Sequence, residues 1–139
     1  MDDIQEVLWQ QFEIEVSEHL DILERELGSP DNASAPDAIA TIFRSFHSTK
    51  GLGAAMGVTS VEALSHSAES LFAQVRDGHR ALDAGLAETL LQVVDALRAM
   101  VPEAVAQRGD ATERNDLLEL LATQGPISSS ATANRDTAG

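Results

Sequence analysis

His47-Ser48-Thr49-Lys50-Gly51 is the segment of this chain whose residue types point to chemistry. Lys50 is the only lysine; every other basic residue is an arginine. It follows a histidine by three positions, so in a helix the two side chains share a face. A glycine comes next and leaves bare backbone beside the pair. A nucleophilic imidazole, a point-charge cation and an open approach are what a histidine carrying a phosphoryl group needs. An unperturbed histidine has a pKa of about 6.5 and is mostly neutral near pH 7, so one ring nitrogen keeps a lone pair that can attack phosphorus. Phosphoryl transfer is largely positioning plus neutralisation of oxygen charge, and Lys50 is a candidate for supplying that charge.

The elements that must hold these residues read as helices. Ile4, Leu8, Phe12, Val16, Leu20, Leu23 and Leu27 recur every three or four positions and predict one long amphipathic helix, about residues 3–27. Gly28 stops it, and residues 28–36 read as a loop. A second helix starts between Ser34 and Asp37, buries Ile39, Ile42, Phe43 and Phe46, and turns Ala40, Arg44, His47 and Gly51 to the other side. Gly51, Gly53 and Gly57 each weaken a helix by about 1 kcal/mol relative to alanine. Close packing against a neighbour and access for a partner are the two reasons to keep them.

Thr59-Ser60-Val61-Glu62 has the form of a capping box and opens a third helix that ends at Asp77-Gly78. Asp83 caps a fourth, with Leu86, Leu90, Val93, Val94, Leu97 and Val101 inward; Pro102 is expected to kink or shorten it. Leu117, Leu118, Leu120 and Leu121 mark a short fifth helix. The expected fold is all-α: an up-and-down antiparallel four-helix bundle with a short additional C-terminal helix, over residues 1–125. Residues 126–139 are rich in Ser, Thr, Ala, Asn and Gly and read as a disordered tail or linker.

Folding the second and third helices back on each other at Met56-Gly57 puts His47 level with His66, with Glu69 one turn further along and Glu62 one turn back. A carboxylate beside an imidazole accepts the proton of one ring nitrogen, fixes the tautomer and makes the other nitrogen the nucleophile. Glu69 and Glu62 both qualify. His19 and His79 read as surface residues.

Composition narrows the function classes. The net charge of −14 disfavours nucleic acid and anionic membranes as partners. No run of 18 apolar residues is present, which argues against a membrane span, and Met1-Asp2-Asp3 lacks the basic start of a secretory signal. The absence of cysteine excludes disulfides and fits a cytoplasmic chain. No Gly-rich phosphate loop and no kinase signature occur, so no ATP site or other cofactor is expected within the chain. The phosphoryl group then comes from another domain or protein.

Phe43-Arg44-Ser45-Phe46-His47-Ser48-Thr49-Lys50-Gly51 resembles the phosphorylation motif of histidine phosphotransfer (HPt) domains. Gly57-Val58 and Leu64-Ser65-His66-Ser67-Ala68-Glu69-Ser70-Leu71 are similar to the next helix of the chemotaxis histidine kinase (CheA) type. The resemblance covers about residues 5–122 and is specific around residues 43–72. It implies that His47 is the phosphorylated residue, that Lys50 aids phosphorylation, that Glu69 bonds the other imidazole nitrogen and that His66 belongs to the same network. It implies Arg44, Gly51 and Leu52 as partner-docking positions. It further implies the ATP-binding domain of a histidine kinase as donor, a CheY-like response regulator receiver domain as acceptor, and a monomeric module that is a substrate without turnover of its own. Leu52 is bulkier than the small residue expected after Lys50-Gly51, which bears on partner preference.

Two other readings compete. A helical docking or adaptor bundle would use the same fold with no phosphate on His47. A metal-binding bundle would gather His47, His66, Glu62 and Glu69, but di-iron bundles use repeated Glu-x-x-His, whereas His66-x-x-Glu69 has the reverse order and stands once. No metal is expected.

Overall fold

The structure is a computed structural model that describes residues 2–124. The tail expected over residues 126–139 lies outside the described residues. Helices α1 (Asp2–Leu27), α2 (Pro30–Ala33), α3 (Pro36–Ala55), α4 (Thr59–Arg76), α5 (Ala84–Gln107) and α6 (Asn115–Gln124) follow in that order, with no strand among the described residues. The four long helices form the bundle: α1 packs on α3 and α5, α4 packs on α3 and α5, and α6 pads α4. The most extensive of these interfaces is α3 against α4.

The core is mainly aliphatic, with Trp9, Phe12, Phe46 and Phe72 among its buried members. Val16, Leu20, Leu23 and Leu27 of α1 meet Ile42 and Phe46 of α3, Leu64 and Phe72 of α4, and Leu90, Val93 and Leu97 of α5 in one buried cluster. Two details of the expected α1 stripe fail. Ile4 is 66% and Leu8 47% exposed, and Trp9 is buried in their place, edge-on to Phe12 with ring centroids 5.8 Å apart. Strict four-residue steps advance about 400° each, so the line drifts by about 40° per step and cannot stay on one face from Ile4 to Leu20. The expected loop over residues 28–36 contains the single turn α2, which contributes the buried Ala33.

Helix ends also differ from expectation. Pro102 does not end α5, which runs on to Gln107 before a left-handed cap at Arg108 (φ 54°). Pro102 is exposed, so the helix loses one hydrogen bond on its wet side without opening its buried face. Asp83 caps α5 as expected, accepting from the Leu86 amide at 2.8 Å. The capping box at Thr59 does not form: α4 has no side-chain cap of its own. The α5–α6 loop supplies one instead. Asp110 accepts from the Ser60 amide at 2.9 Å, from Ser60 Oγ at 2.6 Å and from Thr59 Oγ1 at 2.9 Å. Burial pushes the Asp110 carboxyl up, but these hydrogen bonds outweigh it and hold the group below the usual range.

The three glycines near His47 serve three different needs. A Cβ on Gly53 would lie 3.0 Å from the Glu62 amide and 3.1 Å from Val61 Cγ1, so Gly53 is what lets α4 approach α3. Gly57 sits at φ +73° in the turn between them, a conformation that favours glycine. A Cβ on Gly51 would meet nothing within 4 Å, so packing does not require this glycine.

Three substitutions test these contacts. Gly51→Ala should raise the unfolding free energy by about 0.5–1 kcal/mol, because only helix propensity changes. Gly53→Ala should lower it by more than 1 kcal/mol despite the same propensity gain. Equal effects in urea titrations would show that Gly53 does not set the α3–α4 distance. Asp110→Ala should cost about 1–2 kcal/mol, the size of a lost helix cap; an unchanged midpoint would remove the loop's role at α4.

Candidate functional site

His47 lies in the fourth turn of α3, on the side away from the core. Its side chain is 61% exposed. Opposite it on α4 is Glu69, whose side chain is only 8% exposed. The close approach at Gly53 brings the two together: Glu69 Oε2 pairs with His47 Nδ1. Glu69 Oε1 accepts from Lys50 Nζ at 2.7 Å. One buried carboxylate is therefore shared by two side chains from successive turns of α3.

The electrostatics follow from that sharing. Burial pushes the Glu69 carboxyl up, but the hydrogen bonds and charges of Lys50 and His47 prevail and hold it below the usual carboxylate range. Glu69 is thus a carboxylate at neutral pH and can only accept. His47 Nδ1 must then carry the hydrogen, and the lone pair of the neutral ring resides on Nε2. The arrangement fixes both the tautomer and the nitrogen that meets solvent. Between the two acids left open by spacing, the structure chooses Glu69; Glu62 is half-buried near the α3–α4 turn, with no bond to His47.

His66 is not part of this cluster. It lines a groove with Ser67, Ser70, Gln74, Leu118 and Leu121, on the side of α4 that faces α6. No hydrogen bond joins it to His47 or Glu69 among the described residues. The level estimate fails because it matches heights along two helices and ignores the direction around α4 in which each side chain leaves. His79 is exposed as expected. His19 is half-buried instead, with its Nδ1 enclosed and without a hydrogen-bond partner. No three His, Asp or Glu side chains are placed to hold a metal among the described residues.

Two neighbours of His47 were not singled out as site residues by the sequence. Phe43, one turn earlier, presents its ring nearly parallel to the imidazole, at 13° with centroids 6.4 Å apart. The Arg76 guanidinium from the end of α4 sits 4.2 Å over the other part of that ladder, the Phe43 ring centroid. With Pro36, Ile39, Ala40 and Arg44 they line an open groove of about 530 Å³ beside His47. The spacing of Phe43 and His47 on one helix was visible; the arrival of Arg76 from α4 depends on a register that only the fold supplies. Of the docking positions, Arg44 and Gly51 are exposed, and Leu52 is half-buried against the core.

The family model of the Hpt domain matches residues 7–100. The chemotaxis protein CheA of Borreliella burgdorferi is 32% identical over 83 residues, covering 59% of this chain and 10% of the relative. That of Listeria monocytogenes is 32% identical over 93 residues, covering 64% of this chain and 15% of the relative. The chain thus spans a small part of these relatives' lengths. Among solved structures, the phosphorylated P1 domain of CheA3, in complex with CheY6 from R. sphaeroides, superposes with a TM-score of 0.80 at 29% identity. That match covers 86% of this chain and 95% of the other. On the evidence of that match and of a helical bundle of the same shape, the chain belongs to the Hpt domain family of histidine phosphotransfer modules.

Proposed function

We propose that His47 is the phosphorylated residue of a two-component chemotaxis relay. Its Nε2 takes a phosphoryl group from ATP held by a histidine kinase domain, in the same or another chain, and passes it to an aspartate of a CheY-like receiver. The observation that carries this reading is the exposed His47 whose Nδ1 is held by the buried carboxylate of Glu69. The likeness to CheA proteins and to a phosphorylated P1 domain bound to CheY6 supports the classes of donor and acceptor. A cytoplasmic module fits ATP as the phosphoryl source. Among the described residues no helix is long and apolar enough to cross a membrane.

The chemistry runs through one proton that stays in place. The Nε2 lone pair attacks the γ-phosphorus, the bond from phosphorus to the bridging oxygen breaks, and ADP leaves with that electron pair. The ring, now bonded to phosphorus at Nε2 and to hydrogen at Nδ1, is cationic, and the Glu69 carboxylate offsets the charge. In the second step a receiver carboxylate oxygen bonds phosphorus and Nε2 departs with its pair. The hydrogen on Nδ1 makes imidazole a neutral leaving group. Lys50 keeps Glu69 ionised and oriented, so the proton is not drawn off the ring. In this reading the chain is the kinase domain's substrate and contributes no turnover alone.

Incubation with Mg-ATP and a CheA-type kinase that lacks its own phosphotransfer domain tests the assignment. Wild type should acquire acid-labile label and His47→Gln none; label retained by the variant moves the site elsewhere. Lys50→Ala should lower the rate at saturating kinase by about tenfold, through the loss of one charge-assisted contact.

Glu69→Gln should destabilise the fold at pH 7 by about 1–2 kcal/mol. Because the folded Glu69 carboxyl is held below the usual carboxylate range, its contribution is complete above that range and is lost as pH falls through the folded value. The gap between wild type and Glu69→Gln in thermal unfolding should therefore close in acid. A gap that widened there would contradict the ionised carboxylate.

A further inference from the structure

Arg44 stands out in an acidic chain with 23 acids and 9 bases, because it holds no acid. Arg25, Arg76, Arg98, Arg114 and Lys50 each pair with a carboxylate. Arg80 donates to the Gln124 carbonyl. Among the described arginines and Lys50, only the side chains of Arg44 and Arg108 have neither hydrogen bond nor ion pair. Arg108 is the left-handed cap of α5 and lines a different groove, with Gln5 and Trp9. Arg44 lines the His47 groove itself.

Direction around α3 separates the two cations that flank His47. Arg44, three residues before it, and Lys50, three residues after it, project on opposite sides of the imidazole, because three residues turn a helix by about 300°. Lys50 is on the following turn and is engaged with Glu69 at 2.7 Å. The Nδ1 edge of the ring faces α4 and Glu69, so the Nε2 tip is turned away from α4, toward the surface that carries Arg44.

We infer that Arg44 is the phosphoryl-holding residue: its guanidinium donates to the phosphoryl oxygens on Nε2, and Lys50 acts behind the ring on Glu69. The inference deepens the relay reading and rests on it. It moves the neutralising charge, expected from spacing at Lys50, to Arg44. A guanidinium suits the task, because its planar fork can bond two phosphoryl oxygens at once.

The test needs no protein partner. The full chain is phosphorylated with phosphoramidate, a small phosphodonor, and followed by NMR of phosphorus and of the Arg44 Nε–H group. Phosphorylation should shift and sharpen the Arg44 Nε–H signal. Arg44→Gln should raise the titration midpoint of the phosphoryl group by about half a pH unit, because a cation nearby favours the dianion. Arg44→Lys should restore part of that shift, and Arg108→Gln, the other unpaired arginine, should leave the midpoint unmoved. Phosphohistidine with an unmoved Arg44 signal and an unchanged midpoint in Arg44→Gln overturns the role of Arg44 and leaves the relay reading intact. Absence of any acid-labile phosphate on His47 overturns the relay reading and this inference together.

Discussion

One carboxylate, buried on α4 and claimed by two bases of α3, is the constraint on which the site depends. A buried carboxylate without partners would give up its charge. Glu69 keeps it because Lys50 and His47 each take one oxygen. The two bases are three residues apart on one helix face, so the carboxylate can satisfy both only at a single height and rotation of α4 against α3. The same contact that orients the imidazole thus fixes the register of the two helices. A surface pair such as Arg98 with Asp21 and Glu24, although well formed, exerts no such control, because solvent competes for each partner.

That register rests on packing that has nothing to do with charge. Gly53 removes the one side chain that would hold α4 off α3. Ser45 and Thr49 of α3 and Ser65 of α4 are buried and small, and Thr49 satisfies its hydroxyl on the Ser45 carbonyl at 2.8 Å. At the start of α4, Asp110 ties the first turn to the α5–α6 loop through three hydrogen bonds. The helix carrying Glu69 is therefore held at its N-terminus by the loop, along its length by close packing and at the site by an ion pair. A nucleophile on a well-fixed element loses little freedom when it reacts, and that is the main contribution a protein can make to phosphoryl transfer.

Much of this was legible in the residues. Periodicity and capping residues place the starts of the long helices within a residue or two, and the His47, Lys50 and Gly51 cluster lay on one helix, where spacing alone decides who shares a face. What failed were relations between helices and around them. The α1 stripe was drawn through Ile4 and Leu8 because every fourth residue was apolar, although such a line winds off the core. Ser45, Thr49 and Gly53 were not counted as core, since polar and small residues carry no hydrophobic signal, yet they set the interhelical distance. Glu69 over Glu62, the departure of His66 toward α6 and the stacking of Arg76 on Phe43 all depend on the rotation of α4. No pattern within a single helix encodes that rotation.

Charge gives the site its direction. At a net charge of −14 the body of the domain repels other anions, and in the proposed relay both the ATP that donates and the aspartate that accepts are anionic. Repulsion of that kind fades beyond a screening length of about 10 Å, so it acts as a partner comes close, where orientation is decided. Arg44 and Arg76 on the groove and Lys50 behind the ring interrupt the acidic surface at His47. A partner that approaches this face meets cations, an apolar floor and bare backbone at Gly51. The same net repulsion resists long residence, and a carrier that must leave its donor to reach its acceptor requires a contact that is oriented and brief.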